Sequence, residues 1–192
     1  MFKYVPAASY FYMKALDVGC GNLKVPGAIG VDFHKVEGVD VVHNLNKFPY
    51  PFKNQEFDVI YANHVLEHLD APLDRIIKEL LRILKPNGVI KIEVPHALSV
   101  GAFADPTHKK FFTIFTFDYF GNNIQSYYNP DVKVKIKKRK FVFKTGRISG
   151  FVLKPVEFLI NLNPVFYSHF FAFIFPCSTL YFEIQHPDPQ KK

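Results

Sequence analysis

Two glycines and two carboxylates near the start of the chain have the types and spacing to hold a nucleoside. Leu16-Asp17-Val18-Gly19-Cys20-Gly21 carries an apolar strand into Gly-x-Gly, and Gly30-Val31-Asp32 ends a second apolar strand on an acid. A strand-ending Gly-x-Gly lets the backbone pass close to a ligand where a Cβ would collide. An acid closing the adjacent strand is placed to accept both hydroxyls of a ribose. Gly-x-Gly alone is a weak signal, and the paired acid strengthens it over the alternative of a tight turn with a solvated carboxylate. Lys24 occupies the place of the third glycine in a full G-x-G-x-x-G fingerprint. Capture of a pyrophosphate at a helix N-terminus is therefore weakly supported, and a dinucleotide is the poorer ligand.

Proton transfer needs a group that titrates near neutral pH, which imidazole does. Four histidines fall at strand ends or in the aromatic segment that follows them: His64, His68, His96 and His108. For any one taken singly, a packing role competes with a chemical one.

The elements that must position these residues follow from the apolar runs and their breakers. Strands are expected near Met13 to Val18, Ala28 to Asp32, Val39 to Val42, Phe57 to Ala62 and Val89 to Val94. Before the last of these, Leu73, Ile76, Ile77, Leu80, Leu81 and Leu84 mark the buried face of a helix, with Pro72 in its first turn and Pro86-Asn87-Gly88 as its stop. Strand, helix, strand implies a right-handed parallel unit. Between Val18 and Ala28 the chain is shorter than the dozen or so residues of an ordinary parallel crossover, so a single helical turn or none is expected there.

After Val94 the pattern loosens into an aromatic insert, Pro95 to Asn129, with Phe103, Phe111, Phe112, Phe115 and Phe117. The insert is the larger candidate for a lid, and Tyr4, Tyr10, Phe11 and Tyr12 form a smaller one. Residues 130–192 then supply a basic strand, an apolar helical stretch and a last strand, Leu180 to Gln185, able to pair with the basic one at the sheet edge. In the basic strand Val132-Lys133-Val134-Lys135-Ile136-Lys137 alternates with period two.

Length and composition bound the rest. A chain of 192 residues with 48% hydrophobic content fits one domain spanning 1–192 with a sizeable core. Two cysteines make no disulfide framework, so a reducing, cytoplasmic setting is expected. No signal peptide is evident at the N-terminus. Phe158 to Phe182 lacks Lys, Arg, Asp and Glu, and approaches the length of a membrane span. Asn161, Asn163, Pro164, Ser168, His169 and Pro176 interrupt it, which favours buried helix and loop, with a membrane-surface patch as the alternative. The net charge of +7 is concentrated between Lys133 and Lys144, six Lys and one Arg without an acid. Such a stripe protects a sheet edge, or docks phosphate, anionic lipid or RNA.

From Ala15 to about Val94 these residues resemble the class I S-adenosylmethionine-dependent methyltransferases, particularly the branch called type 11. Leu16 to Gly21 looks like the first motif and Gly30-Val31-Asp32 like the ribose-binding strand end. Phe57 to His68 resembles the fourth strand with its sequel, and Leu84-Lys85-Pro86-Asn87-Gly88-Val89 the turn into the fifth. The resemblance implies a three-layer, Rossmann-like α/β sandwich with a mostly parallel sheet, order 3-2-1-4-5-7-6, and strand 7 antiparallel. It implies S-adenosyl-L-methionine as cofactor, with Gly19 and Gly21 along the methionine moiety, Asp17 orienting its amino group and Asp32 on the ribose. Asn44 and Leu45 fall where the family contacts adenine, and Asn63 and His64 near the reactive methyl. His96 ends the fifth strand, and His108 lies in Asp105-Pro106-Thr107-His108, similar to a recurrent Asp-Pro-x-His segment of this branch; either is a candidate for contact with the acceptor.

His64-Val65-Leu66-Glu67-His68 also matches the H-x-x-E-H pattern of inverted zinc proteases. Its position inside the fourth-strand motif of another family argues against that reading. Some ubiquinone-type O-methyltransferases bind a metal through Glu-x-x-Glu-His at this place. The principal expectation is no metal, with His64, Glu67 and His68 as the alternative ligand set. The expected acceptor is a small molecule, a sugar or a lipid-linked metabolite. The alternatives are RNA or protein docked on 132–144, and a non-catalytic cofactor-binding module. Nothing in the sequence specifies an oligomeric state.

Overall fold

The computed structural model describes residues 13–121, 132–143 and 153–187. Seven strands form one sheet: β1 Ala15–Val18, β2 Ile29–Asp32, β3 Val41–Val42, β4 Phe57–Asn63, β5 Leu84–Pro95, β6 Lys135–Val142 and β7 Thr179–Gln185. Their order is β3-β2-β1-β4-β5-β7-β6, as the resemblance implies. The first five run parallel, and β7 is antiparallel to both β5 and β6. Central strands carry Leu16, Val18, Ile60, Ala62, Ile90, Ile92 and Val94 out of solvent altogether. Covered central strands of this kind are what a sheet with helices on its faces requires.

Helix α1, Leu73–Ile83, is where the apolar spacing puts it and buries Ile76, Ile77, Leu80 and Ile83. Burying each such side chain stabilises the fold by roughly 1.5–3 kcal/mol. Its Glu79 is buried too, and accepts from the Tyr50 amide at 2.6 Å and from Arg82 Nη2 at 2.6 Å. The loop through Tyr50 is thereby pinned to α1.

Two boundaries differ from the expected ones. Pro86-Asn87-Gly88 does not separate helix from strand: β5 starts at Leu84, directly after α1, and the extra residues are taken up as a bulge between the pairs Phe57↔Leu84 and Val59↔Val89. The basic strand is shifted to Lys135–Val142, with an irregularity between Ile136 and Lys138 that breaks the period-two alternation. The first crossover contains no helix, as its length requires.

The insert begins with a bridge between His96 and Phe112 and includes the short helix α2, Val100–Ala104, and a 3-10 turn, Thr116–Phe120. Phe112 and Phe117 belong to the core, the latter edge-on to Phe182 with ring centroids 4.7 Å apart. Phe103 and Phe111 stay exposed and stack on each other. The aromatic residues proposed from the N-terminus as a lid, Tyr4, Tyr10, Phe11 and Tyr12, lie outside the described residues.

The apolar stretch is helical, as α3 Lys154–Leu162 and α4 Pro164–Phe170, but it is not buried as expected. Phe158, Leu159, Leu162, Phe166, Phe170, Phe173 and Ile174 all face out. The helices are too short to enclose both faces, and only Glu157, Tyr167 and Ala172 are buried between Lys154 and Phe175. Among the described residues no helix is long and apolar enough to cross a membrane.

Candidate active site

The C-terminal ends of β1, β2 and β4 open onto a cavity of about 520 Å³, lined by Gly19, Asp32, Phe33, His34, Asn44, Leu45, Asn46, His64, Val65, His68 and Leu69. Its volume lies within the range of about 300–1,000 Å³ typical of small-molecule sites. Its position outside the carboxyl ends of parallel strands is where ligands of open α/β sheets bind.

Gly19 has φ +68° and Gly21 φ +50°, backbone conformations that residues with a Cβ rarely adopt. At Gly19 there is no room either: an added Cβ would stand 2.2 Å from Val65 Cγ2. The Gly19 amide donates to the Val31 carbonyl at 2.8 Å, and the Gly21 amide to Asp32 Oδ2 at 3.0 Å. Asp32 Oδ1 accepts from the His34 amide at 3.0 Å. Each carboxylate oxygen keeps further acceptor capacity toward the cavity. Lys24, which replaces the third fingerprint glycine, has a structural task instead, because its ammonium pairs with Asp40 at 2.7 Å. Asp40 also accepts from the Gly30 amide at 2.7 Å, so the loop is strapped across β2.

Asp17 is buried at the base of this loop and accepts from the Val25 amide at 2.7 Å. Burial pushes its carboxyl above the ordinary range, against the lowering effect of that hydrogen bond. Asp17 and Gly21 do not line the cavity, nor does Asn63, which pairs with Glu93 in the β4–β5 ladder. Asn44 and Leu45 do, with Asn44 Oδ1 fixed by the Asn46 amide at 3.0 Å and the Leu45 carbonyl by the Tyr50 hydroxyl at 3.0 Å.

His64 sits in the cavity wall with φ +51°. The helical turn after it is a 3-10 segment, Leu66–His68. His64 and His68 are therefore not two positions on one α-helical face, the arrangement the H-x-x-E-H spacing presupposes. Glu67 is 1% exposed, and His64 Nδ1 lies 3.3 Å from its Oε1. The group of metal-ligating side chains that converges among the described residues is Glu67, His68 and His108, with His64 outside it. His68 and His108 meet edge-on with ring centroids 4.7 Å apart.

The two acceptor-side candidates differ in setting. His108 belongs to the insert and meets the cavity through His68. His96 is 1% exposed, packed edge-on against Phe141, and burial holds its imidazole below the usual value. It does not line the cavity. Residues that sequence reasoning passed over are Phe33, His34 and Asn46. The first two directly follow Asp32, which is a usable signal. Asn46 receives the Asp70 and Ala71 amides at 2.7 and 2.9 Å, a link across the chain with no local signature.

The donors and shapes present fit an adenosyl cofactor: an acid for the ribose, a glycine turn at Gly19 too tight for a Cβ, and the side-chain amides of Asn44 and Asn46 at the far end. Residues 12–102 match the family model described as a methyltransferase domain. A comparison with curated proteins returns no match. Among solved structures, an S-adenosylmethionine-dependent methyltransferase from Archaeoglobus fulgidus is 21% identical, with TM-score 0.55 over 90% of this chain and 86% of that one. One from Mesorhizobium loti is 13% identical, TM-score 0.56, over 91% of each chain. Another from Aquifex aeolicus is 14% identical, TM-score 0.51, over 90% of this chain and 81% of that one. At these identities the structures speak to the fold, and the domain match, the strand-end motifs and the cavity they line speak to the cofactor. Over residues 12–102 the chain matches a methyltransferase domain, and its fold is the one found in solved S-adenosylmethionine-dependent methyltransferases.

Proposed function

We propose that this methyltransferase acts on a small, lipid-linked acceptor that approaches along the insert and the α3–α4 pair. The observation that carries the reading is the exposed apolar surface of that pair beside an apolar groove of about 330 Å³, lined by Leu159, Leu162, Phe166, Phe171 and Phe175 among others. The insert connects this surface with the cavity: Phe115 packs on His169 of α4, and Thr107 bonds His68 in the cavity wall. Apolar patches of this kind mark lipid or partner sites in soluble-sized domains.

The bound cofactor supplies a methyl group already activated by its sulfonium. Of this chain's residues, those that line the cavity are assigned to hold and orient it: Gly19 along the methionine moiety, Asp32 on the ribose, Asn44 and Leu45 at the adenine, and His64 near the methyl; Asp17, Gly21 and Asn63 stand behind this wall, Gly21 holding Asp32 and Asp17 holding the Val25 end of the loop. Alignment of the acceptor is then the main demand. His108 is assigned to the acceptor side, since its ring is the one that reaches the cavity wall, and His96 to supporting β5 beneath it. The insert is read as the cover of the site.

The basic strand is given an edge-protecting role. Arg139 makes two 2.7 Å bonds to Asp118, and Lys140 stands over the Tyr181 ring at 5.1 Å, so these two cations are engaged within the protein.

Methyl-labelled S-adenosylmethionine, offered with detergent-dispersed lipids and glycolipids, total RNA or a protein fraction in parallel, tests the reading. Label in the organic extract is expected. Label confined to RNA or protein would overturn it.

A further inference from the structure

We propose that Glu67, His68 and His108 form a site for one divalent first-row transition-metal ion that joins the insert to the wall of the cofactor cavity. One nitrogen of each imidazole and one oxygen of Glu67 lie within 4.8 Å of one another. The set departs both from the expectation of no metal and from the alternative set with His64.

Two independent features support it. First, both carboxylate oxygens of Glu67 are buried without a hydrogen-bond partner, although the residue is only 1% exposed. A buried carboxylate without compensation is strongly disfavoured, and a coordinated cation supplies that compensation. Second, both rings are oriented as metal-ligating histidines are. His108 Nδ1 lies 2.9 Å from the Ala102 carbonyl, which only accepts, so Nδ1 carries the proton. His68 Nδ1 lies 2.9 Å from Thr107 Oγ1, whose own hydroxyl donates to Asp105 Oδ1 at 2.6 Å. His68 Nδ1 is therefore also a donor. In each ring the lone pair is left on Nε2. Ligating histidines characteristically donate their other N–H to a carbonyl or toward a carboxylate, which fixes the tautomer. Asp105 Oδ1 accepts from the Thr107 amide at 2.8 Å and hydroxyl at 2.6 Å, and its Oδ2 stands 3.9 Å from His108 Nε2.

The donor set selects the metal class. Two imidazoles with one carboxylate suit zinc, cobalt, iron or manganese rather than calcium or magnesium, which prefer all-oxygen shells. With bonds of about 2.0–2.2 Å, a tetrahedral ion spaces its ligands by roughly 3.4 Å, so binding draws the three side chains inward by about an ångström. The insert already rests on this turn, because the Lys109 and Lys110 amides donate to the Glu67 carbonyl at 2.7 and 3.2 Å. An ion here would fasten the Asp105–Lys110 segment to the turn that carries His68 of the cavity wall, and three protein ligands would leave at least one coordination position for water or another ligand.

The competing account is that Glu67 is neutralised by His64 alone, which lies 3.3 Å away. Titration of the chelator-treated full chain distinguishes the two, with Zn²⁺ followed by calorimetry and Co²⁺ by its visible ligand-field spectrum. One equivalent of Zn²⁺ is expected, with Co²⁺ bands of a four- or five-coordinate nitrogen and oxygen site. Affinity should fall at least about tenfold in Glu67→Gln and in His108→Ala, and stay within about twofold of the original in His64→Gln. Thermal melts without metal establish that each variant is folded. No stoichiometric binding by the unaltered chain would overturn the site, and so would loss of binding in His64→Gln with retention in a folded His108→Ala.

Discussion

The cofactor half, β1 to β5, and the region after β5 use apolar residues in opposite ways. In the first, the strands and α1 carry their apolar side chains inside, and key cavity-facing positions are set by the backbone, as with Gly19 against Val65 or Asp32 against the Gly21 and His34 amides. In the second, large side chains such as Phe158, Phe166 and Phe170 are left outside, and α3 and α4 are anchored by few polar contacts. Asn161 is one of them, exchanging hydrogen bonds with the Phe141 amide and carbonyl at 2.8 Å each. A site for an invariant cofactor tolerates little variation in shape, whereas a surface that meets an apolar acceptor or membrane needs area and exposure. Substitutions should therefore cost stability or cofactor affinity in the first region, and leave both nearly untouched in the second.

The largest effect is expected at Gly19. Gly19→Ala places a Cβ in the left-handed region, which costs about 1–2 kcal/mol, and drives it into Val65, an overpacking cost of about 1–3 kcal/mol. Chemical denaturation should show a loss of roughly 2–5 kcal/mol. Adding Val65→Ala should restore only the overlap component of the Gly19→Ala cost. A Gly19→Ala chain as stable as the original would remove the tight backbone approach from the comparison.

Next in size is Asp32→Ala. Hydrogen bonds to a charged acceptor are worth about 1.5–3 kcal/mol each, so affinity for S-adenosylhomocysteine in calorimetry should fall by roughly 100-fold or more. The same measurement on Phe166→Ser with Phe170→Ser should return the original affinity. Equal losses in both would abolish the proposed division of labour.

That division also explains what could be read from the residues alone. Strand ends, the glycine turn, Asp32 and α1 are local patterns, and the sheet order came with the family resemblance. Exposure of α3 and α4 was misjudged because a run without charge looks the same whether it faces a core or solvent. The Glu67, His68 and His108 grouping was hidden for another reason. It joins positions far apart in the chain, while the spacing of His64 and His68 pointed to an α-helix that the φ of +51° at His64 prevents. The basic strand lies within the stripe 132–144, but its start is later than the alternation indicates, because the period-two pattern ends at Ile136, where an irregularity shifts the ladder register.

His96 offers a smaller effect, on the boundary between the two regions. Burial lowers its folded-state pKa below the ordinary 6.5, while a contact with the Cys177 backbone opposes the shift. The unfolded chain then takes up the proton first as pH falls. Its contribution to stability is complete above pH 6.5 and declines below it toward the folded-state pKa, at no more than about 1.4 kcal/mol per pH unit. Denaturation midpoints of the original chain should fall between pH 7 and 5 more steeply than those of His96→Gln. Parallel curves would mean that His96 is hydrated in the folded state and belongs functionally with the open region.

The smallest effect on the fold, and the most informative for the second region, is expected from Phe166→Ser with Phe170→Ser. Both side chains are about half or more exposed, at 51% and 64%, and pack on each other with ring centroids 4.9 Å apart, Phe166 also meeting Phe171 at 5.8 Å. Surface substitutions of this kind change stability by no more than about 0.5 kcal/mol each, so the melting temperature should hardly move. Sedimentation with vesicles of mixed neutral and anionic lipid should nevertheless fall several-fold, because apolar area entering the interface is what drives such association. If instead the double substitution unfolds α3 and α4, the phenylalanines are core residues of a closed structure. The two regions would then use apolar side chains alike.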